Sequence, residues 1–354
     1  RRQRQMCIRD RGELNIGHAY TGGGDRPDVR KIQTGLLGAE LVKDNKSGYF
    51  RIEKILDGQN WDKSLISPLQ VIGVNARQGD YILSIDGTST KPLKNIYEIM
   101  VNKAGRQVTL ELNSTASESG KRKATVIPIA DESRLYYYDW VQSNMDKVNR
   151  ATNGKVGYIH IPDMGTGGLN EFAKQFYPQV RKKALIIDVR GNGGGFVSGM
   201  IIERLRREIA MITIARNTVP STEPDEMIYG PMVCLADEFS ASDGDIFPYR
   251  FKQYNLGKVI GKRTWGGVVG IRGSLPLLDG GQLYKPEFSR YNVEGTEWIM
   301  EGVGVEPDIF VDNDPAKEYA GEDQQLNRAI REILEELKTK EKTIPNPPPY
   351  PDKQ

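Results

Sequence analysis

Several ordinary resources are scarce in this sequence. Its 354 residues include two cysteines, Cys7 and Cys234, too few for a disulfide framework and without the spacing of a metal site. A reducing compartment is compatible with that. No apolar run is long enough to span a bilayer. An excess of either charge is missing too: 49 basic and 47 acidic residues leave a net +2, so there is no basic field for nucleic acid and no acidic tail. No internal repeat is found. Histidine is limited to His18 and His160, which makes the choice of an imidazole base narrow. The opening "RRQRQMCIRDRG" has no apolar h-region and is not a signal peptide. Residues 1–11 read as non-native, and "GELNIGHAY" enters as though from the middle of a longer protein.

What is present divides by pattern. Residues 38–115 read as a compact β-rich domain. "GYFRIEKIL" (Gly48–Leu56) alternates as a half-buried strand does. A strand over Tyr81–Ile85 runs into an Asp86-Gly87 turn. "NIYEIMVN" (Asn95–Asn102) has helical spacing, and "RQVTLELN" reads as the closing strand. This order, and the text Gly79-Asp-x-Ile-Leu-x-Ile-Asp-Gly87 above all, resembles a PDZ domain. "GYFRI" then stands where that family holds a peptide's terminal carboxylate in backbone amides. Peptide capture and a spacer that only shapes access to another site are both open readings. "STASESGKRK" (Ser114–Lys123) reads as a surface hairpin or linker.

Beyond Arg134 the pattern changes. "KVGYIHI", "KALIIDVR", "GPMVCLAD" and "KVIGKRT" are strands, the second apolar enough for a buried parallel strand. "SGMIIERLRRE" and "IFPYRFKQYN" between them are helical. The alternation implies an α/β (α+β) core with βαβ crossovers, into which the β-rich domain is inserted. The expected divisions are 1–37 and 116–320 for the core, 38–115 for the insert, and 321–354 for a terminal helix and a proline-rich tail. Leu326, Ile330, Ile333 and Leu337 share one face of that helix.

"ALIIDVRGNGGGFVSGMIIERL" is strand, glycine loop and helix, yet a dinucleotide fingerprint fails. Phe196 takes the sixth place of G-x-G-x-x-G, no acidic residue follows at the expected distance, and no Lys-Ser/Thr supports a P-loop. Glycines also let backbone amides face a developing negative charge, as an oxyanion hole requires. In "DEFSASDGDIF" (Asp237–Phe247) a helix starts near Ser242, where first-turn amides lack intrahelical partners. Ser240 or Ser242 could equally be a helix cap. His160 sits mid-strand, where a satisfied side chain is the default. His18 lies in a loop-like stretch and is the better candidate for a mobile base.

"FSASDGDIF" resembles the tail-specific serine proteases. Their Ser–Lys dyad is absent, because the lysine slot falls on Gly267 when counted from Ser242. "GELNIGHAYTGGGD", "GYIHIPDMGTGGLNEF", "LIIDVRGNGGG", "SDGDIFPYRF", "GKRTWGGVVGI" and "EGVGVEPDI" together resemble the tricorn proteases, the histidine-using branch, over most of residues 12–337. The β-propellers that precede this half in full tricorn proteins are not in the chain. The resemblance implies a serine peptidase acting on short peptides. It makes Ser242 the nucleophile, His18 the general base and Glu301 the orienting acid, with Glu306 its rival. The amides of Gly195 and Asp243 would form the oxyanion hole. Gly193, Gly194 and Gly195 would line the substrate, and Ile271 would border the first specificity pocket. Ser240 is left structural. In the archaeal pattern a serine precedes the histidine, and here that position is Gly17. The resemblance further implies a homo-hexamer and a cytoplasmic setting, and neither metal nor organic cofactor. A weak or inactive peptide-binding scaffold is the alternative.

Overall fold

The structure, a computed structural model, describes residues 18–25, 27, 29 and 31–349. The first eleven residues, Gly17 and the end of the proline-rich tail, Tyr350–Gln354, lie outside them. The chain forms two compact units, one of the residues up to 26 with Asn144 onward, the other Pro27–Ser143. Strand β1 (Tyr20–Gly23) belongs to the first of these.

The second unit is an antiparallel sheet. It comprises β2 (Ala39–Lys43), β3 (Phe50–Ile55), β4 (Tyr81–Ile85), β5 (Thr88–Ser89), β6 (Val108–Asn113) and β7 (Arg122–Val126). The order is β2-β3-β4-β6-β7, with β5 paired to β4. Alternation explains β3: Phe50 and Ile52 are buried while Arg51 and Glu53 face water. Asp86 and Gly87 both have positive φ, 49° and 79°, and join β4 to β5 by the turn whose twist suits a tight hairpin. Two features differ from expectation. The sheet does not close at β6, since β7 adds an edge strand paired from Val108↔Val126 to Leu112↔Arg122. The segment with helical spacing forms only a 3-10 turn, Ile96–Met100, closed at its start by a reciprocal Asn95–Glu98 capping box; two buried residues, Ile96 and Met100, anchor it.

Helix α1 (Ser133–Ala151) contains the division between the units. The core then runs β8 (Val156–His160), α2 (Thr166–Phe176), β9 (Ala184–Asp188), α3 (Ser198–Leu205), β10 (Met211–Thr213), β11 (Ser221–Glu223), β12 (Met232–Ala236), α4 (Asp243–Gln253) and β13 (Gly257–Gly261). It ends with β14 (Gly270–Pro276), β15 (Gly281–Phe288), β16 (Ile309–Phe310), α5 (Pro315–Tyr319) and α6 (Gln324–Lys340). Five strands form one sheet, β16-β13-β12-β9-β8, parallel throughout. The expected βαβ crossovers are there, and β8, β9 and β12 are buried along their whole length, as near-continuous apolar runs require. Helix α6 lays Leu326, Ile330, Ile333 and Leu337 against β9, β12 and β13. β1 pairs with β15 and β15 with β14 in a separate antiparallel sheet. Among the described residues no helix is long and apolar enough to cross a membrane.

Parallel strands end on the same side, so the loops after β9, β12 and β13 open together at the carboxyl edge of the sheet. At the root of the first loop, buried Arg190 pairs with Asp188 at 2.6 Å and with Asp323, the N-cap of α6, at 2.9 Å. The loop therefore rises from a fixed base.

Candidate active site

Strand β12 delivers the chain through Asp237–Ala241 to Ser242, which has φ 58° and ψ −118°. Few non-glycine residues adopt this conformation, and holding it costs on the order of 1–3 kcal/mol. Ser242 occupies the N-cap of α4, yet its side chain makes no capping bond. Its carbonyl alone starts the helix, accepting the amides of Asp245 at 3.0 Å and Ile246 at 3.1 Å. The neighbouring Ser240 behaves oppositely. It is fully buried, and its Oγ donates to the Val189 carbonyl at 2.8 Å, fastening the turn to the strand below.

The glycine loop is pressed against this elbow. A methyl group on Gly194 would stand 2.6 Å from Ser242 Cβ and 3.0 Å from the Asp243 amide nitrogen. Gly195 has φ 149°, and a methyl there would sit 2.1 Å from the Met164 carbonyl oxygen. Pairing with Met164 uses the Gly194 carbonyl (2.8 Å) and the Phe196 amide (2.7 Å), which leaves the Gly195 amide outside it. The Asp243 amide, in the first turn of α4, has no intrahelical partner. Gly193 differs from its neighbours, because a methyl there meets nothing within 4 Å. The structure thus brings Gly194 against Ser242 and Asp243, with Gly195 next to it in the chain and packed on Met164, and close backbone approach explains two of the three consecutive glycines.

His18 precedes β1, with its ring centroid 5.8 Å from that of Trp265 and 5.9 Å from that of Tyr20. Burial lowers its pKa, the Glu301 carboxylate raises it, and the Arg290 guanidinium lowers it again. The imidazole is therefore neutral, the form a base needs, at neutral pH. Its Nδ1 is buried without a hydrogen-bond partner among the described residues. Glu301 is electrostatically close but spends one carboxylate oxygen, Oε2, on the amides of Val268 (2.7 Å) and Val269 (2.8 Å). The rival, Glu306, faces Arg263 at 3.9 Å from an exposed position. His160 is buried on β8, its Nε2 set 3.0 Å from the Arg190 carbonyl, which is a structural use. Ile271 lies half-buried in β14 between two register shifts. The lysine slot of the Ser–Lys pattern, Gly267, is covered by an aromatic wall: a methyl there would lie 2.3 Å from the Trp265 ring.

Two residues here escaped the sequence reading. Arg290 donates to the Val268 carbonyl at 2.8 Å, so the Val268 peptide is gripped by Arg290 on one side and Glu301 on the other. Asp245 is fully buried and accepts the Gly266 amide at 2.7 Å, holding the Trp265 loop; burial raises its pKa. Arg290 lies outside every motif, and Asp245, although part of the serine motif, is given no role by it. Because Glu301 and Arg290 act on His18 with opposite sign, their removal has opposite expected effects. In an NMR titration of the ring C–H signals, Glu301→Gln moves the His18 pKa further down and Arg290→Gln moves it up. Identical shifts in both variants would contradict this electrostatic assignment.

The loop of the β-rich unit proposed for carboxylate capture is already occupied. Asp44 accepts the amides of Lys46 (3.2 Å) and Ser47 (3.3 Å) on its carboxylate and that of Gly48 (2.7 Å) on its carbonyl. The Tyr49 amide goes to Ser47 Oγ at 3.3 Å. The amides of Lys46, Ser47, Gly48 and Tyr49 are thus all used within the loop itself, which favours the spacer reading. C-terminal pentapeptides titrated into the protein are expected to bind this loop no more tightly than about 1 mM. Saturable chemical-shift changes at Lys46–Tyr49 at micromolar peptide would overturn it.

Comparison with known proteins gives the class. Residues 155–311 match peptidase family S41, and residues 35–131 match the tricorn protease PDZ domain. The chain is 37% identical to the tricorn protease of Thermoplasma volcanium, over 92% of its own length and 31% of that protein. It is 37% identical to tricorn protease homolog 1 of Streptomyces coelicolor, over 95% of its length and 31% of that protein. A crystal structure of the tricorn protease superposes with a TM-score of 0.85 at 35% identity, covering 93% of this chain and 32% of that one. The chain thus spans about a third of the length of these relatives. It belongs to peptidase family S41, a family of serine proteases, in the branch that carries the tricorn PDZ domain.

Proposed function

We propose that the chain hydrolyses peptide bonds of short peptides through an acyl-enzyme on Ser242. The observation that carries the reading is the Ser242 elbow, strained and uncapped, against a glycine loop in which Gly194 and Gly195 leave no room for a side chain. Ser242 Oγ attacks the scissile carbonyl while His18 takes its proton and later returns it to the leaving amine. The Gly195 and Asp243 amides stabilise the tetrahedral oxyanion, and water then resolves the ester. Gly193, Gly194 and Gly195 flank the substrate backbone, and Ile271 borders the pocket of the residue preceding the cleaved bond. Glu301, preferred to Glu306 by its influence on His18, orients the imidazole.

The Nδ1 of His18, without a hydrogen-bond partner among the described residues, is the feature that favours the alternative, a catalytically weak or inactive scaffold. Fluorophosphonate labelling with mass-spectrometric mapping of the adduct decides between them. Label on Ser242, together with cleavage products from a peptide library, supports the hydrolase; absence of both supports the scaffold. The tricorn likeness also supports a homo-oligomer, by its precedent a hexamer. So do Met211 and Val219, exposed on and beside the two-stranded β10–β11 sheet, since an isolated pair of strands is marginal in water.

A further inference from the structure

The proposed oxyanion hole has an engineering difficulty: its two donors belong to different segments. The Asp243 amide opens α4, whereas the Gly195 amide lies in the loop that leads into α3. Transition-state donors must hold their places to within about 0.5 Å, and glycine-rich backbone does not supply such rigidity by itself. Something must fix the distance between the segments.

The Asp243 side chain does so. It is almost fully buried and turns away from its own helix toward Ser198, the first residue of α3, which has no solvent exposure. Asp243 Oδ2 accepts the Ser198 amide at 2.9 Å, and Oδ1 accepts the Ser198 hydroxyl at 2.5 Å. The same hydroxyl accepts from Arg250 Nη1 at 2.8 Å, so one more residue of α4 closes the clamp. The first-turn amide of α3 is thereby capped from a neighbouring helix, where a carboxylate is also favoured by the helix dipole. The other end of the glycine loop is tied separately. Ala241 donates its amide to the Asn192 carbonyl at 2.8 Å, and Asn192 Oδ1 accepts the Gly194 amide at 2.9 Å.

We propose that Asp243 acts twice in oxyanion stabilisation: its amide is one donor, and its carboxylate, through Ser198 and Arg250, is a positioning group that sets where the Gly195 donor stands. This rests on the hydrolase reading above. A fixed spacing matters only when the oxyanion forms, so the clamp acts on the transition state rather than on substrate binding.

Ser198→Ala and Asp243→Asn test it, since both leave the two amides in the chain. Each is expected to lower kcat about 10- to 100-fold with KM within about twofold. The affinity for a peptide boronate, which forms a tetrahedral adduct, is expected to fall in step with kcat/KM. Hydrogen exchange in peptides covering Asn192–Val197 is expected to accelerate in both variants. Unchanged kcat in both overturns the proposal, as does a loss carried entirely by KM. If the wild-type protein turns over no peptide, the hydrolase reading fails on its own account. Exchange at the glycine loop then decides the clamp by itself: acceleration keeps it and no change removes it.

Discussion

Ser242→Ala is expected to lose peptide turnover by about four to six orders of magnitude, on the order of 5–8 kcal/mol of transition-state stabilisation. Fluorophosphonate labelling should vanish with it. The methyl group that replaces the hydroxymethyl keeps the Cβ next to Gly194, so the elbow should persist and substrate still bind. The loss should therefore fall on kcat and not on KM. The strained φ of 58° at this residue adds a control. Alanine retains the strain, while glycine relieves about 1–2 kcal/mol of it. Ser242→Gly should be as inactive as Ser242→Ala and melt at a higher temperature. Residual turnover in the alanine variant within a hundredfold of wild type would remove Ser242 from the nucleophile's role.

Gly195→Ala has the next largest expected effect. Its new methyl would be driven to 2.1 Å from the Met164 carbonyl oxygen and 2.2 Å from the carbonyl carbon, both backbone atoms that no rotamer change can move. The backbone of the loop must shift, and φ of 149° is itself a region that side chains avoid. Loss of one aligned donor typically lowers kcat about 10²- to 10³-fold. Pre-steady-state acylation by a p-nitrophenyl peptide ester reads this step directly. Its rate is expected to fall by that factor, while the near-ultraviolet circular dichroism of the core stays native. Acylation within threefold of wild type would show that the Gly195 amide does not face the oxyanion.

Much of the fold could be read in advance because the core strands are buried on both faces. "KALIIDV" and "PMVCLA" are nearly continuous apolar runs, and such runs have few alternatives. The terminal helix was legible from the spacing of Leu326, Ile330, Ile333 and Leu337. Exposed strands were not. β14 and β15 carry Arg272, Lys285 and Glu287 and show no clean alternation, so their pairing depends on partners far along the chain. β7 escaped for a related reason: "RKATV" is an edge strand with charges on its open face. Local spacing overstated the helix near Ile96, where five residues form a 3-10 turn.

The site divides similarly. The residue types of the glycine loop and the serine motif could be read, but the geometry that distinguishes Ser242 from Ser240 could not. One hydroxyl is buried on the Val189 carbonyl and the other stands clear of its own helix, and only the backbone angles separate them. Arg290 and Asp245 were illegible because each acts through a main-chain group elsewhere, Val268 for one and Gly266 for the other.

The pairing of β1 with β15 carries a consequence for the life of the molecule. His18 is delivered by a strand near the start of the described chain whose partner is synthesised near its end, whereas the serine elbow and its glycine loop need only the intervening parallel sheet. On a ribosome, the proposed nucleophile can be assembled while its proposed base still dangles. Contacts so distant along the chain also form slowly. In the hydrolase reading the emerging polypeptide is thus latent by topology: Ser242 has no imidazole held beside it until β15 has been made and has captured β1.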